Sequence, residues 1–369
     1  MEGTARGITR ALVGPAAAIL LALALSALLF LPAEGGVLAA YRMIFSYAFA
    51  NLHGFVATLH RAIYLVLCTF AFLIPLRGGL WNIGLPGQVF AGSLGAFAVP
   101  FALGVHDPAS TFTPGTGYVV LMVVAAAAAG AALAALTGVL RARLQVNEIL
   151  VTMMLNSILF WLVSDFIKEG GPFMSATAEG ESFALPETLR APLMAGVPIT
   201  ALVALAGAAV LDWLFARTAA GYRVRAFGHS PPAARYGGIS PLRVSVWVFA
   251  TGGAFAGLAG YHYFAAVPGL YKIPTNYGYY GDLAFYGIIC ALIARGSALG
   301  AVPVAVLFAG LSLGGRFAQG ALHLPFGVDY AMLGLLMVTF VASHFLDRLR
   351  LRPRAQAAPA LAESTAEHA

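Results

Sequence analysis

The residues best placed to do chemistry in this chain are amides and hydroxyls set in long apolar runs. Segment 79–88 reads GLWNIGLPGQ, with glycines and a proline framing Asn82 and Gln88. An unwound helix at membrane depth is tolerated only where it faces protein or a wet cavity, so the segment reads as the lining of a substrate path or as a gate. Segment 145–156 reads QVNEILVTMMLN. Asn147, Thr152 and Asn156 lie about one helical turn apart or slightly more, which lets them share a broad helix face. Glu148 stands beside that face, with Arg141, Arg143 or a loop arginine as partners near the inner boundary. A plainer reading accompanies each segment: polar caps at a helix start for the first, interhelical hydrogen bonds without a solute role for the second. Asp165 and Asp282 fall at the outer ends of expected spans and read as interfacial. The chemistry on offer is recognition; no convincing nucleophile, metal cluster or phosphate-binding glycine loop accompanies these groups, and no Gly-Lys pair exists for a Walker A motif.

A second kind of chemistry lies in segment 217–243, RTAAGYRVRAFGHSPPAARYGGISPLR, which carries five arginines and no acid. Its middle predicts a short helix. Ser230 caps it, the prolines fit its first turn, and Gly237 and Gly238 end it. A short basic helix held between two apolar segments suits docking of a soluble partner. The alternative is an ordinary basic loop tethered by lipid phosphates.

The elements that must position these groups are membrane helices. The chain is 60% hydrophobic and 10% charged, which no soluble chain of 369 residues could hide. Expected spans are 11–32, 58–76, 80–104, 117–140, 147–167, 197–216, 243–265, 281–295, 299–317 and 328–347. The fold class is therefore all-α and polytopic, with about ten transmembrane helices. Only three residues separate the second and third spans, so 80–104 also reads as a broken or re-entrant helix. The first apolar run reads as a retained span, because Pro-Ala-Glu-Gly-Gly follows it instead of a small-residue cleavage site.

Charge orients the bundle. With the N-terminus inside, fifteen basic residues fall on the cytoplasmic side and six outside, accounting for all 21. That asymmetry supports an even number of spans with both termini cytoplasmic. The domain organisation follows: 1–10 cytoplasmic, 11–347 transmembrane with the loop 217–243, and 348–369 a cytoplasmic disordered tail rich in Ala, Pro and Glu. Segment 33–57 is expected to lie flat at the outer interface. Cys68 and Cys290 read as small buried hydrophobes. Gly253/Gly257, Gly296/Gly300 and Gly310/Gly314 have the spacing of close helix packing, within a bundle or at a dimer face. The tyrosines of 261–280 read as an aromatic belt or as the outer mouth of a path. The net charge of +6 is spread between spans and does not suggest nucleic acid.

Taken together, the motifs resemble those of bacterial ABC importer permeases in the nucleoside and simple-sugar (ribose-type) branch. Segment 79–88 is similar to a GLxNIGxxGQ signature, and 146–156, VNEILVTMMLN, to a VNExxVTxMLN segment. The loop 217–239 resembles the RTxxGxxxRAxGxxPxAAxYxGI coupling loop, and 287–293 with Leu299-Gly300 echoes a GIAVALLGxxxPLG segment. Departures occur at His229-Ser230, at 288–295 and at Ser297-Ala298. The resemblance implies a non-enzymatic subunit forming half of the translocation path for a nucleoside or related small polar solute. Asn82, Gln88, Asn147 and Asn156 would line or shape the path, and Glu148 would stabilise its inner end. Arg225, Pro232, Ala233, Ala234, Arg235, Tyr236 and Gly237 would form the ATPase-coupling contact. It further implies an ABC ATPase, tandem in this branch, that binds the ATP and magnesium. The chain itself would hold no cofactor. The other implied partners are a second and different permease, an external or periplasmic solute-binding protein and membrane lipid, in the inner or cell membrane. A sugar-specific ABC permease and an ion-coupled secondary transporter remain as alternatives.

Overall fold

A computed structural model describes residues 19–33, 35–107, 114–176 and 180–350. The expected cytoplasmic N-terminus at 1–10 and Glu179 lie outside the described residues, as does the tail beyond residue 350.

The chain forms two compact units, one of 1–40 with 319–369 and the other of 41–318. The larger unit holds the candidate site. Its helices, with α1 and α11 each crossing a boundary, are α1 Gly36–Phe45, α2 Leu52–Arg77, α3 Leu85–Ala102, α4 Gly117–Leu144, α5 Glu148–Ile167, α6 Thr200–Arg217, α7 Ala219–His229, α8 Pro231–Tyr236, α9 Pro241–Tyr261, α10 Tyr277–Ile293 and α11 Ala298–Ala321. In the smaller unit, α12 Val328–Arg350 packs against the short helical turn Ala27–Phe30.

Among the described residues, seven helices are long and apolar enough to cross a membrane: α2 to α6, the continuous run Pro241–Ala266 that includes α9, and α11. Shorter apolar helices are Ile19–Phe30, Gly36–Ala50 and Val328–Thr339. The protein is thus a mostly helical, multi-pass membrane protein. Segment 80–104 is not broken in its middle. Residues 80–84 are non-helical and α3 then runs uninterrupted from Leu85, so the irregularity lies at its start. Segment 33–57, expected as one interfacial stretch, is two helices that part at Asn51.

Burial sorts the helices. α2 is the central post, with 89% of its most apolar window enclosed, whereas α4, α5 and α6 expose most of theirs. A helix apolar all round belongs either in a core or against lipid, and both cases occur here. α9 lies directly on α4 because glycines permit it. A Cβ on Gly257 would stand 2.1 Å from the Ala126 carbonyl oxygen, and one on Gly253 would stand 2.3 Å from that of Gly130. The Gly253/Gly257 pair therefore packs inside the bundle. Cys68 and Cys290 are both buried and free.

The connection 168–196, expected outside the membrane, contains a small element that composition did not announce. Leu193–Met194 and Val197–Pro198 pair as an antiparallel hairpin, Leu193 opposite Pro198. Upstream, Ser182 N–H donates to the Ile273 carbonyl at 2.9 Å and Leu185 N–H to that of Tyr271 at 2.8 Å. Lys272 pairs with Glu181. The loop is thereby fastened to the approach of α10.

Candidate functional site

The site begins with a missing hydrogen bond. Pro75 lies inside α2 and has no N–H to give the carbonyl four residues back, which belongs to Ala71. Asn82 Nδ2 donates to that carbonyl instead, at 3.0 Å. The same amide makes a reciprocal pair with Gln88: Asn82 Nδ2 donates to Gln88 Oε1 at 2.9 Å, and Gln88 Nε2 donates to Asn82 Oδ1 at 2.7 Å. Gly84 N–H also donates to Asn82 Oδ1, at 3.2 Å. Asn82 is 0% and Gln88 2% exposed. Both amides are occupied and sealed, and they fix the turn from α2 to α3.

Asn156 stands at the next position outward. Gly87 N–H donates to its Oδ1 at 2.9 Å, and its Nδ2 donates to the Ile83 carbonyl at 3.0 Å. These bonds tie α5 to the first turn of α3, where N–H groups lack intrahelical partners. Asn156 also walls a cavity of about 340 Å³, with Ser157, Phe160 and Trp161 from α5, Pro86 and Phe90 from α3, and Gly278, Gly281, Asp282 and Phe285 from α10. This volume falls in the range of small-molecule sites. Tyr277 Oη donates to the Phe160 carbonyl at 3.0 Å and holds α10 beside α5. A second cavity, of about 450 Å³, shares Phe160, Trp161 and Gly278 with the first and includes Ser164, Lys168, Asn276 and Tyr279. The two form a groove along α5 and α10, walled by rings and a few polar groups.

The remaining sequence-marked residues fall elsewhere. Asn147 does not share a helix face with Asn156. It is the N-cap of α5, accepting from Ile149 N–H at 2.9 Å, so the helix begins one residue after it. Thr152 spends its hydroxyl on the carbonyls of Glu148 and Ile149. Glu148 pairs with Arg141 at 2.8 Å and so joins the start of α5 to the end of α4. Of the four residues expected at the path, only Asn156 reaches the groove. The groove's acid, Asp282, was read as interfacial because hydropathy puts it at the very start of a span; α10 in fact starts at Tyr277, more than a turn earlier.

The basic loop is two short helices. Thr218 caps α7, accepting from Gly221 N–H at 3.1 Å, and Val224 and Phe227 turn inward. Ser230 caps α8 at 3.4 Å from Ala233 N–H, with prolines in the first turn and Gly237 at the C-cap, as the sequence predicts. Gly238 takes φ +78°. Ala234 is buried, whereas Pro232, Ala233, Arg235 and Gly237 are exposed and Tyr236 is 95% exposed; Arg225 is half-buried. Gly228, at the end of α7, rests on the turn after α2: a Cβ there would stand 2.6 Å from the Arg77 carbonyl oxygen. Nearby, Arg77 donates to the Gly296 carbonyl. Asp212 accepts from Ser297 Oγ and from the N–H groups of Ala298 and Leu299 at 2.8–3.0 Å, capping α11 from a neighbouring helix.

Residues 54–341 match the family described as branched-chain amino acid transport system / permease component. The chain belongs to this family. It is a permease subunit of a membrane transport system and not an enzyme. Among curated relatives, the glucose ABC transporter permease protein TsgB13 of Haloferax volcanii is 30% identical over 351 residues, covering 91% of this chain and 89% of its own length. The guanosine ABC transporter permease protein NupP of Bacillus subtilis is 28% identical over 348 residues, covering 91% of this chain and 94% of its own. The nucleoside ABC transporter permease protein NupB of Lactococcus lactis is 26% identical over 317 residues, covering 83% and 84%. No solved structure matches.

Proposed function

We propose that this permease forms half of the translocation path of an ATP-binding-cassette importer for a nucleoside or a related small polar solute. The observation that carries the reading is the groove along α5 and α10, which combines stackable rings with Asn156, Ser157 and Asp282 and lies open on the exposed face of α5. A second and different permease faces that groove. Asn156 lines it, and Asn82 and Gln88 shape it by fixing the start of α3. Asn147 and Glu148 hold its inner end.

The subunit has about ten transmembrane helices, both termini in the cytoplasm and a single transmembrane domain over 11–347, within the inner or cell membrane. Its external solute-binding protein delivers the ligand. A tandem ATPase that binds ATP and magnesium docks on α8, where Pro232, Ala233, Arg235, Tyr236 and Gly237 form the contact, with Ala234 and Arg225 supporting it from beneath. Closure of the ATPase sites pushes α8 and α7 against the turn after α2. The exposure of Tyr236 on a helix capped at both ends supports this reading. A sugar substrate is the second reading, favoured by the 30% identity to a glucose permease.

The test is ATPase stimulation and solute uptake in the reconstituted complex, comparing wild type with an Arg235→Glu, Tyr236→Ala loop variant. Loss of ATPase docking and uptake in a folded variant is expected. Normal uptake by the variant, abolished instead by an ionophore, would replace this reading with an ion-coupled carrier.

A further inference from the structure

Asp282 has no role in holding the fold. Its carboxylate makes no hydrogen bond or ion pair among the described residues, and it is exposed on the wall of the groove. The helix dipole does not account for it either, because the first turn of α10 contains no acid and Asp282 lies beyond that turn. Two acids near the groove are by contrast committed: Asp165 pairs with Lys168, and Glu181 with Lys272. A bare carboxylate in an apolar setting is costly enough that its retention points to a ligand.

The surroundings define that ligand. Phe90, Phe160, Trp161 and Phe285 present ring surfaces on the same cavity. Phe90 and Phe160 stand 6.3 Å apart between centroids, and Phe160 and Trp161 meet edge-on at 5.4 Å. Asn156 has its carbonyl and one N–H already engaged, so it adds little new hydrogen-bonding capacity. An ionised carboxylate accepts hydrogen bonds and donates none. Rings and a lone acceptor together fit a flat solute with an N–H donor edge.

We infer that Asp282 is the specificity-determining residue of the passage, accepting hydrogen bonds from the N–H edge of a planar, neutral ring solute that stacks on Trp161 and its aromatic neighbours. The inference rests on the importer reading for its physiological sense but not for its test. A carboxylate at this position disfavours phosphorylated solutes by like-charge repulsion and gives little advantage to a solute without a flat donor edge, such as a hexose.

Trp161 supplies a direct readout. Guanosine, inosine and glucose are titrated into the complete transporter complex in nanodiscs without ATP. Tryptophan emission is followed in wild type, Asp282→Asn, Asp282→Glu and Trp161→Phe. Guanosine should quench wild type, and the signal should be lost in Trp161→Phe. Asp282→Asn should raise the guanosine midpoint about tenfold, the effect of losing one charged hydrogen bond. Asp282→Glu should recover part of that loss. Inosine, which lacks the exocyclic amino donor, should bind more weakly and respond less to Asp282→Asn, and glucose should not quench. Equal guanosine midpoints in wild type and Asp282→Asn, or no Trp161-dependent quenching, would overturn the inference. ATP-driven uptake is measured separately: intact Asp282-dependent quenching with no uptake would defeat the importer reading alone.

Discussion

Two pairs of polar residues lie within a few helical turns of one another and have opposite fates. Asn82 and Gln88 satisfy each other and are sealed from solvent. Asn156 and Asp282 stand on an open wall, the first half-committed to backbone and the second uncommitted. Polar groups in a membrane bundle cost stability unless paired. The sealed pair is retained for architecture, because it replaces the hydrogen bond that Pro75 cannot make. In the open pair architecture explains Asn156 only in part and Asp282 not at all. Hydrogen-bond accounting thus separates structural from functional polar residues where residue type alone does not.

The comparison breaks most visibly where packing permits no side chain. Gly257→Leu, aimed at the carbonyl of Ala126, should prevent assembly of the bundle, seen as loss of a monodisperse peak on size exclusion. Asn82→Ala should come next. It strands the Ala71 carbonyl and the Gln88 amide and should lower stability by about 2–4 kcal/mol, read from thermal unfolding in detergent. Pro75→Ala sharpens this test, since an N–H at residue 75 can serve Ala71 directly. In that background the cost of Asn82→Ala should fall by about 1 kcal/mol in a double-mutant cycle. An unchanged cost would mean that the proline does not explain the amide.

Asn156→Ala should cost about 1–2 kcal/mol by the same unfolding measurement and should also impair uptake, because the residue belongs to both architecture and groove. Ser230→Ala removes the cap of α8 and should cost about 1 kcal/mol at most, detected as faster amide exchange over 233–236 with transmembrane exchange unchanged.

Local signals were legible in the sequence. The caps and glycine terminus of α8 are adjacent in the chain, and the apolar runs mark most helices. Asn147 was misplaced because a face argument assumes that the helix already includes the residue, whereas Asn147 is what starts it. The role of Asn82 required combining two readings: a proline frees the carbonyl four residues back, and a buried amide eleven residues beyond that carbonyl needs a partner. Asp282 was missed for a different reason. Hydropathy locates the apolar part of a helix, and α10 begins with tyrosines and glycines that lower the score without ending the helix. The hairpin at 193–198 closes locally on Ala195 and Gly196, both at positive φ, but its two-residue strands are too short to show an alternation. The clamp on 271–273 depends on long-range pairing, which no local pattern encodes.

The seat of Gly228 on the Arg77–Gly79 main chain has a mechanical consequence. Most helix contacts are cushioned by side chains, whose rotamers give way under load and absorb small displacements. Here main chain rests on main chain, with no side chain of residue 228 between them. A displacement of the end of α7 therefore meets the turn after α2 directly, and a substitution as small as Gly228→Ala would drive the two apart.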